Sequence, residues 1–324
     1  MSEYQNYVKE LEKRLWNYRR IAFRTGDNFF DLRYESGRTP PVFKKHHESN
    51  NIILKSGMPE TYRRSVLNEI PVKKRHKWFR SMKSSQALAQ SVFANLKHLE
   101  KLNILGCLNG SDGKPLFIYD ATHEHECHME YSVKENILKE KEGHLTSIDV
   151  FFSGNHQIAI ECKLSEDGVG PCSRSTQLKP EDEEYCDGRY AAQKGRKEHC
   201  NLSSLGIKYW DYIPELFNWS SEAIHDPCPL LETYQLVRNI LVACVRPDGR
   251  VESHCGHAVL IYDKRNPAFH SGGAGRKATL QVRQGLRNPF LLQECTWQQI
   301  VDHIRRDNEM QWLANKLFQK YGIE

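Results

Sequence analysis

Asp149, Glu161 and Lys163 lie in the stretch TSIDVFFSGNHQIAIECKLSE, residues 146–166. From Ile158 to Leu164 the residues alternate. Ile158, Ile160, Cys162 and Leu164 belong to one face of a strand, and Ala159, Glu161 and Lys163 to the other. The preceding apolar run, Ile148 to Phe152, carries a single carboxylate, Asp149. On adjacent strands joined by a short turn, Asp149 and Glu161 can point to the same side. Two carboxylates a few ångströms apart repel unless a cation offsets them, and Mg²⁺ (or Mn²⁺) suits such a pair. Lys163 shares their face. Its ammonium could hold an attacking water, lower that water's pKa, or stabilise charge on a phosphorane-like transition state. Such a strand pair would present a metal and a nucleophilic water to a phosphodiester. The competing structural reading is a Glu161–Lys163 ion pair on a half-exposed strand.

Several elements must position these residues. Residues 2–23 read as an amphipathic helix with a Ser2/Gln5 capping box, a Val8, Leu11, Leu15 stripe and a basic face. A polar, Pro-containing stretch, ESGRTPPVFKKHHESNN, reads as a linker. PVKKRHKWFR follows; its Lys73, Lys74, Arg75, Lys77 and Arg80, interleaved with Trp78 and Phe79, suit a phosphate track with an aromatic platform. A solvated charge run is the alternative. Ser84 or Ser85 can cap a helix with the stripe Leu88, Val92, Leu96 and Leu99, leaving Gln86, Gln90 and Lys97 on other faces.

Strands are expected at PLFIYD, MEYSV, SIDVFF and Ile158–Leu164, with KENILKEKEGH as a hairpin-like excursion. LLETYQLVRNILVACV reads as a buried helix. Its Gln235 and Arg238 could reach the scissile region or serve in capping and pairing. HAVLIYD follows a Pro-Asp-Gly turn as a strand. HSGGAGRKATLQVRQGLR reads as a flexible basic loop without a Walker A pattern. The tail reads as one long helix capped by Thr296. The order of elements predicts an α/β sandwich around one mixed sheet.

The chain's 324 residues permit one large domain or two smaller ones, and 39% apolar content supports a sizeable core. A formal charge of +5 is compatible with a polyanion partner. No run of 18 apolar residues predicts a transmembrane helix, and the charged N-terminus is no secretory signal. These features predict a cytoplasmic protein with reduced cysteines and no membrane partner.

SIDVFF…IAIECKLS resembles the D…ExK core of the PD-(D/E)xK nuclease superfamily, with Ile148 where the motif's proline would stand. The blocks WFRSMKSSQALAQSVFANL, CDGRY, LGIKYWDYIPELF and TYQLVRNILVA are similar to an uncharacterised bacterial restriction-endonuclease-like branch. The resemblance implies a restriction-endonuclease-like sandwich, a central mixed β-sheet flanked by helices, with residues 58–324 as the nuclease domain and 1–57 as a helical extension. It implies that Asp149 and Glu161 hold Mg²⁺ (or Mn²⁺) and that Lys163 assists the attacking water. Gln86 and Glu130 are candidates for a further polar site residue, Glu130 as a third metal ligand. The implied activity is a Mg²⁺-dependent deoxyribonuclease, an endonuclease rather than an exonuclease, with DNA as partner and RNA not excluded. Two other classes compete: an idle nuclease fold that binds DNA or RNA, and a metal-structured interaction protein.

Cys172, Cys186, Cys200 and Cys228 lie in the polar segment 165–228 without a CxxC knuckle. They could bind one Zn²⁺ or an iron–sulfur cluster, as some nucleases of the resembled superfamily do, or be unrelated thiols. His123, His125 and Cys127 share one face of an extended segment and could bind a metal or be plain surface histidines.

Overall fold

The computed structural model describes every residue except 25–27, 36, 38, 111–112, 118–125, 134, 141–146, 177–178, 183–184 and 194–196. Its sheet consists of β1 (Glu126–Ser132), β2 (Ser147–Ser153), β3 (Gln157–Cys162), β4 (Gly256–Tyr262) and β5 (Leu292–Thr296), in that spatial order. The β1–β2 and β2–β3 pairs are antiparallel, whereas β3–β4 and β4–β5 are parallel. A short turn after β2 suffices for the antiparallel join; each parallel join needs a crossover. The helices, in chain order, are α1 (Glu3–Ala22), α2 (Glu60–Asn68), α3 (Ser85–His98), α4 (Glu135–Leu138), α5 (Ser173–Thr176), α6 (Asn201–Ser204), α7 (Tyr209–Leu216), α8 (Tyr234–Cys244), α9 (Ala274–Gly285), α10 (Trp297–Arg306) and α11 (Gln311–Tyr321). α7 and α8 precede β4, and α9 connects β4 to β5. The fold is therefore mixed α/β.

The alternation along β3 sorts two cores. Ile158, Ile160, Cys162 and Leu164 join a core with Val92, Phe93 and Leu96 of α3 and Ile300 and Ile304 of α10. Ala159 joins the other, with Leu236, Ile240 and Ala243 of α8. In the first core Phe93 meets Phe152 and Trp297, each at 6.4 Å between ring centroids. Each large apolar side chain so buried contributes roughly 1.5–3 kcal/mol. α1 begins with the expected Ser2/Gln5 box and buries Tyr7, Leu11 and Leu15. Tyr4 Oη donates to the Ser165 carbonyl at 2.6 Å and Tyr7 Oη to that of Leu164 at 2.7 Å, so α1 pins the chain just beyond β3.

Four expectations change. The tail is two helices, because Asp307 accepts from the Glu309 N–H at 2.8 Å and turns the chain so that Met310 is buried. The supposed basic loop at 270–287 holds α9, whose Gly275, Ala278, Thr279 and Val282 are buried at helical spacing. Its glycines serve close packing rather than mobility: a Cβ on Gly273 would lie 2.4 Å from the Ala268 carbonyl oxygen, and one on Gly275 2.6 Å from the Phe269 ring. The excursion after β1 contains the short helix α4. Of PLFIYD, Pro115 makes only an isolated bridge with Asn109 and Phe117 is buried, while Ile118–Asp120 lie outside the described residues. β5, which the sequence reading did not anticipate, extends the parallel half of the sheet.

Candidate active site

Strand register assembles the acidic residues. Val150 pairs with Ile160 and Phe151 with Ala159, so Asp149 stands opposite Glu161. Met129 pairs with Val150 and Tyr131 with Ile148, so Glu130 falls opposite Asp149. The three carboxylates thus form a row across adjacent strands, which run about 4.8 Å apart. Glu130 has φ +48°, a left-handed conformation in which a non-glycine residue stores on the order of 1 kcal/mol or more. The surrounding contacts must hold it there.

They do so from several elements. Ser84 caps α3 by accepting from the Ala87 N–H at 3.2 Å, which sets Gln86 in the first turn. Gln86 donates to one Glu130 oxygen and accepts from the His76 N–H at 2.9 Å. Ser147 Oγ donates to the other Glu130 oxygen. Lys74 Nζ reaches the Glu130 carbonyl at 2.7 Å. Asp149 accepts from the Cys162 N–H at 2.7 Å. Glu161, 4% exposed, pairs with Lys163 Nζ at 2.7 Å and accepts from Asn239 Nδ2 at 3.1 Å. Lys163 also donates to Gln235 Oε1 at 2.9 Å. Trp297 Nε1 donates to the Lys163 carbonyl at 2.9 Å and holds the backbone at the end of β3.

Burial, with Glu161 and Glu130 beside it, pushes the Asp149 carboxyl well above the usual carboxylate range. Burial also raises Glu130, although the Ser147 and Gln86 hydrogen bonds oppose that rise. Burial disfavours the charged form of Lys163, but the Glu161, Glu166 and Asp149 carboxylates outweigh it and hold the ammonium protonated. The site therefore concentrates anionic demand on a row that a cation would relieve.

Asp149, Glu161, Lys163, Glu130, Gln86, Lys74 and Gln235 all line one cavity of about 740 Å³. Tyr34, His76, Trp78, Ser85 and Glu166 complete part of its wall. Asn239 Oδ1, with its residue 1% exposed beside Glu161, has no hydrogen-bond partner among the described residues. The row's donors are all oxygens, the ligand type a hard divalent cation takes; the three carboxylates do not bring one oxygen each within 4.8 Å of one another, so ligation by all three would draw them together.

The other basic candidates sit elsewhere. Arg75 pairs with Glu48 at 2.7 Å and donates to the Leu67 and Ile70 carbonyls. Arg80 pairs with Asp31 at 2.8 Å and donates to the Phe43 carbonyl. Lys73 and Lys77 are exposed outside the cavity lining. Phe79 is buried in the core, which leaves Trp78, 41% exposed, as the accessible aromatic group of that run. Arg238 is 2% exposed and bonds Glu140 at 2.7 and 3.2 Å; it takes the pairing role rather than facing the cavity. His123 and His125 lie outside the described residues, and Cys127 is buried.

Sequence reasoning missed Asn239, Ser147 and Glu166. Asn239 had a signal: it stands four residues after Gln235 in a largely apolar helical run, hence on the same face. Glu166 accepts from Ser85 Oγ and from the Leu164 N–H, both at 2.6 Å, and so ties α3 to the chain after β3.

Gly170 supports the site from behind. With φ +110°, it leaves room where a Cβ would come within 1.7 Å of Gln235 Oε1. Gly170→Ala should displace Gln235 from Lys163 and lower turnover about tenfold, about 1.4 kcal/mol of transition-state stabilisation. The check is kinetic comparison with Gln235→Leu. Normal rates in Gly170→Ala would show that Gln235 does not position the lysine.

A family model described as restriction endonuclease associating with ARP matches residues 27–322. No curated protein and no solved structure matches the chain.

Proposed function

This chain belongs to the family of restriction endonucleases associating with ARP, and from that premise we propose that it is a Mg²⁺- or Mn²⁺-dependent deoxyribonuclease of the PD-(D/E)xK kind. The carrying observation is the row Glu130, Asp149 and Glu161 with Lys163 on the wall of one cavity. In this reading the mixed sheet with α3 and α8 is the restriction-endonuclease-like core, and the family points to DNA as substrate.

Asp149 and Glu161 are the first metal ligands, with Glu130 completing the row. A bound divalent cation would offset the mutual repulsion of these carboxylates and act as a Lewis acid toward a phosphate. Lys163 holds its proton and places a positive charge where a phosphodiester gains negative charge in the transition state. Gln235 and Glu161 fix the ammonium from two sides. Asn239 orients Glu161. Gln86 and Ser147 orient Glu130. Lys74 and Trp78 stand at the cavity for a phosphate and a base.

The test is incubation of purified protein with supercoiled plasmid and with single-stranded DNA across a Mg²⁺ and Mn²⁺ titration. Metal-dependent nicking or linearisation is expected, abolished by chelator. Binding without cleavage under every metal condition would identify an idle module instead. Lys163→Met should reduce turnover at least a hundredfold with DNA affinity changed less than about threefold, because affinity is spread over many phosphate contacts. Equal losses in binding and turnover would make Lys163 a phosphate anchor only.

A further inference from the structure

Another cavity differs from the acidic one in the chemistry of its lining. It measures about 20 Å³, and Cys172, Cys186, Cys200 and Cys228 all line it. These four cysteines come from separate turns of the segment between β3 and α8, spread over more than fifty residues. That they line one small cavity has no explanation in chain proximity. No disulfide joins any two of them.

The main chain around them is arranged for sulfur. The Arg174 N–H faces the Cys172 sulfur, the Leu202 and Ser203 N–H groups face Cys200, and the Leu230 N–H faces Cys228. In each case the donor lies two or three residues beyond the cysteine. Such N–H groups stabilise a thiolate, the form that ligates metal. The remaining wall mixes Tyr190, Leu230 and Leu231 with Arg174, Arg189 and Asn201. Clustered thiolates repel one another unless a cation offsets their charge. Around the four cysteines the helices are short: α5 and α6 are four residues each, and only α7, after the third cysteine, reaches eight. The segment has little regular structure with which to order itself.

We infer that Cys172, Cys186, Cys200 and Cys228 form a structural site for one zinc ion that holds the segment between β3 and α8 in place. Four thiolates are a closed tetrahedral set for Zn²⁺. The space is about that of a single water-sized sphere, which suits one ion rather than a multi-iron cluster. Among the described residues only Glu252, His254 and Cys255 bring three ligand atoms within 4.8 Å of one another. The four sulfurs therefore surround the cavity more loosely than zinc–sulfur bonds of about 2.3 Å require, and ligation draws the turns inward. Binding releases the thiol protons and adds its free energy to the segment's stability. The inference is independent of the nuclease reading.

The test starts from the full chain, expressed with zinc in the medium and purified under reducing conditions without chelator. Elemental analysis should find one zinc per chain, released by a mercurial thiol reagent. Replacement with Co²⁺ should give the intense thiolate-to-cobalt absorption of a tetrahedral site. Cys186→Ser and Cys228→Ser should each lose the metal, whereas Cys255→Ser should retain it. Folded wild-type protein without zinc, disulfides among the four cysteines, or a brown iron chromophore would each overturn the assignment. So would zinc retained by Cys186→Ser and Cys228→Ser but lost from Cys255→Ser. If the serine variants do not fold, the wild-type stoichiometry and cobalt spectrum decide the question alone.

Discussion

Asp149→Asn is expected to lower cleavage by on the order of 10³-fold or more while leaving the chain folded and no less stable. The first half follows from removing a negative ligand from the centre of the row, where transition-state electrostatics are concentrated. The second half follows from the same row. The amide keeps an oxygen to accept from the Cys162 N–H, and it ends the repulsion with Glu161 and Glu130.

The pH dependence of stability carries a sign that can be checked. Asp149 and Glu130 are raised in the metal-free fold, so the folded chain keeps protons that the unfolded chain has released. Their contribution is complete below the ordinary carboxylate range near pH 4 and is lost as pH rises through the folded-state values. Metal-free wild type should therefore lose more stability than Asp149→Asn as pH climbs above about 5. Added Mg²⁺ should raise the wild-type Tm, increasingly at higher pH, and leave the variant's nearly unchanged. Thermal melts with chelator or Mg²⁺ at several pH values read all of this. Undiminished Mg²⁺-dependent cleavage by Asp149→Asn would falsify the active-site assignment.

The second large effect concerns stability. Arg238 and Glu140 are each about 2% exposed and bonded to one another, with Tyr209 Oη also donating to Glu140 and Tyr234 Oη 2.9 Å from Tyr209 Oη. Arg238→Met strands Glu140 as a buried charge and should cost roughly 3–5 kcal/mol. Arg238→Met combined with Glu140→Leu should recover most of that loss, because a buried pair replaced by apolar groups of similar volume is often close to neutral. Urea denaturation of both variants and the wild type provides the measurement. A single variant as stable as wild type would mean that Glu140 finds water or protonates without cost. DNA affinity should be unchanged in the double variant, since neither side chain lines the acidic cavity.

Local pattern alone determined a good deal here. The strict alternation of β3 announced which side chains face which core, since strand period is a property of the backbone. The Ser2/Gln5 capping box and the Thr296 cap marked two helix starts through residue chemistry confined to one turn. The Asp149, Glu161, Lys163 grouping was legible because a short turn leaves an antiparallel hairpin little choice of register.

Long-range contacts decided the rest. Whether the third carboxylate would meet Asp149 depended on the β1–β2 register and on the left-handed turn at Glu130, neither of which local pattern specifies. Lys74 and Arg75 are neighbours of the same charge, yet one reaches the cavity and the other a half-buried Glu48, because side-chain direction there follows the path of a short 3-10 turn. Gly273 and Gly275, at the start of α9, looked like flexibility and proved to be clearance for the 267–268 backbone and Phe269. A glycine's lack of a side chain is written in the sequence; what occupies the space it leaves is set only when distant parts of the chain pack together.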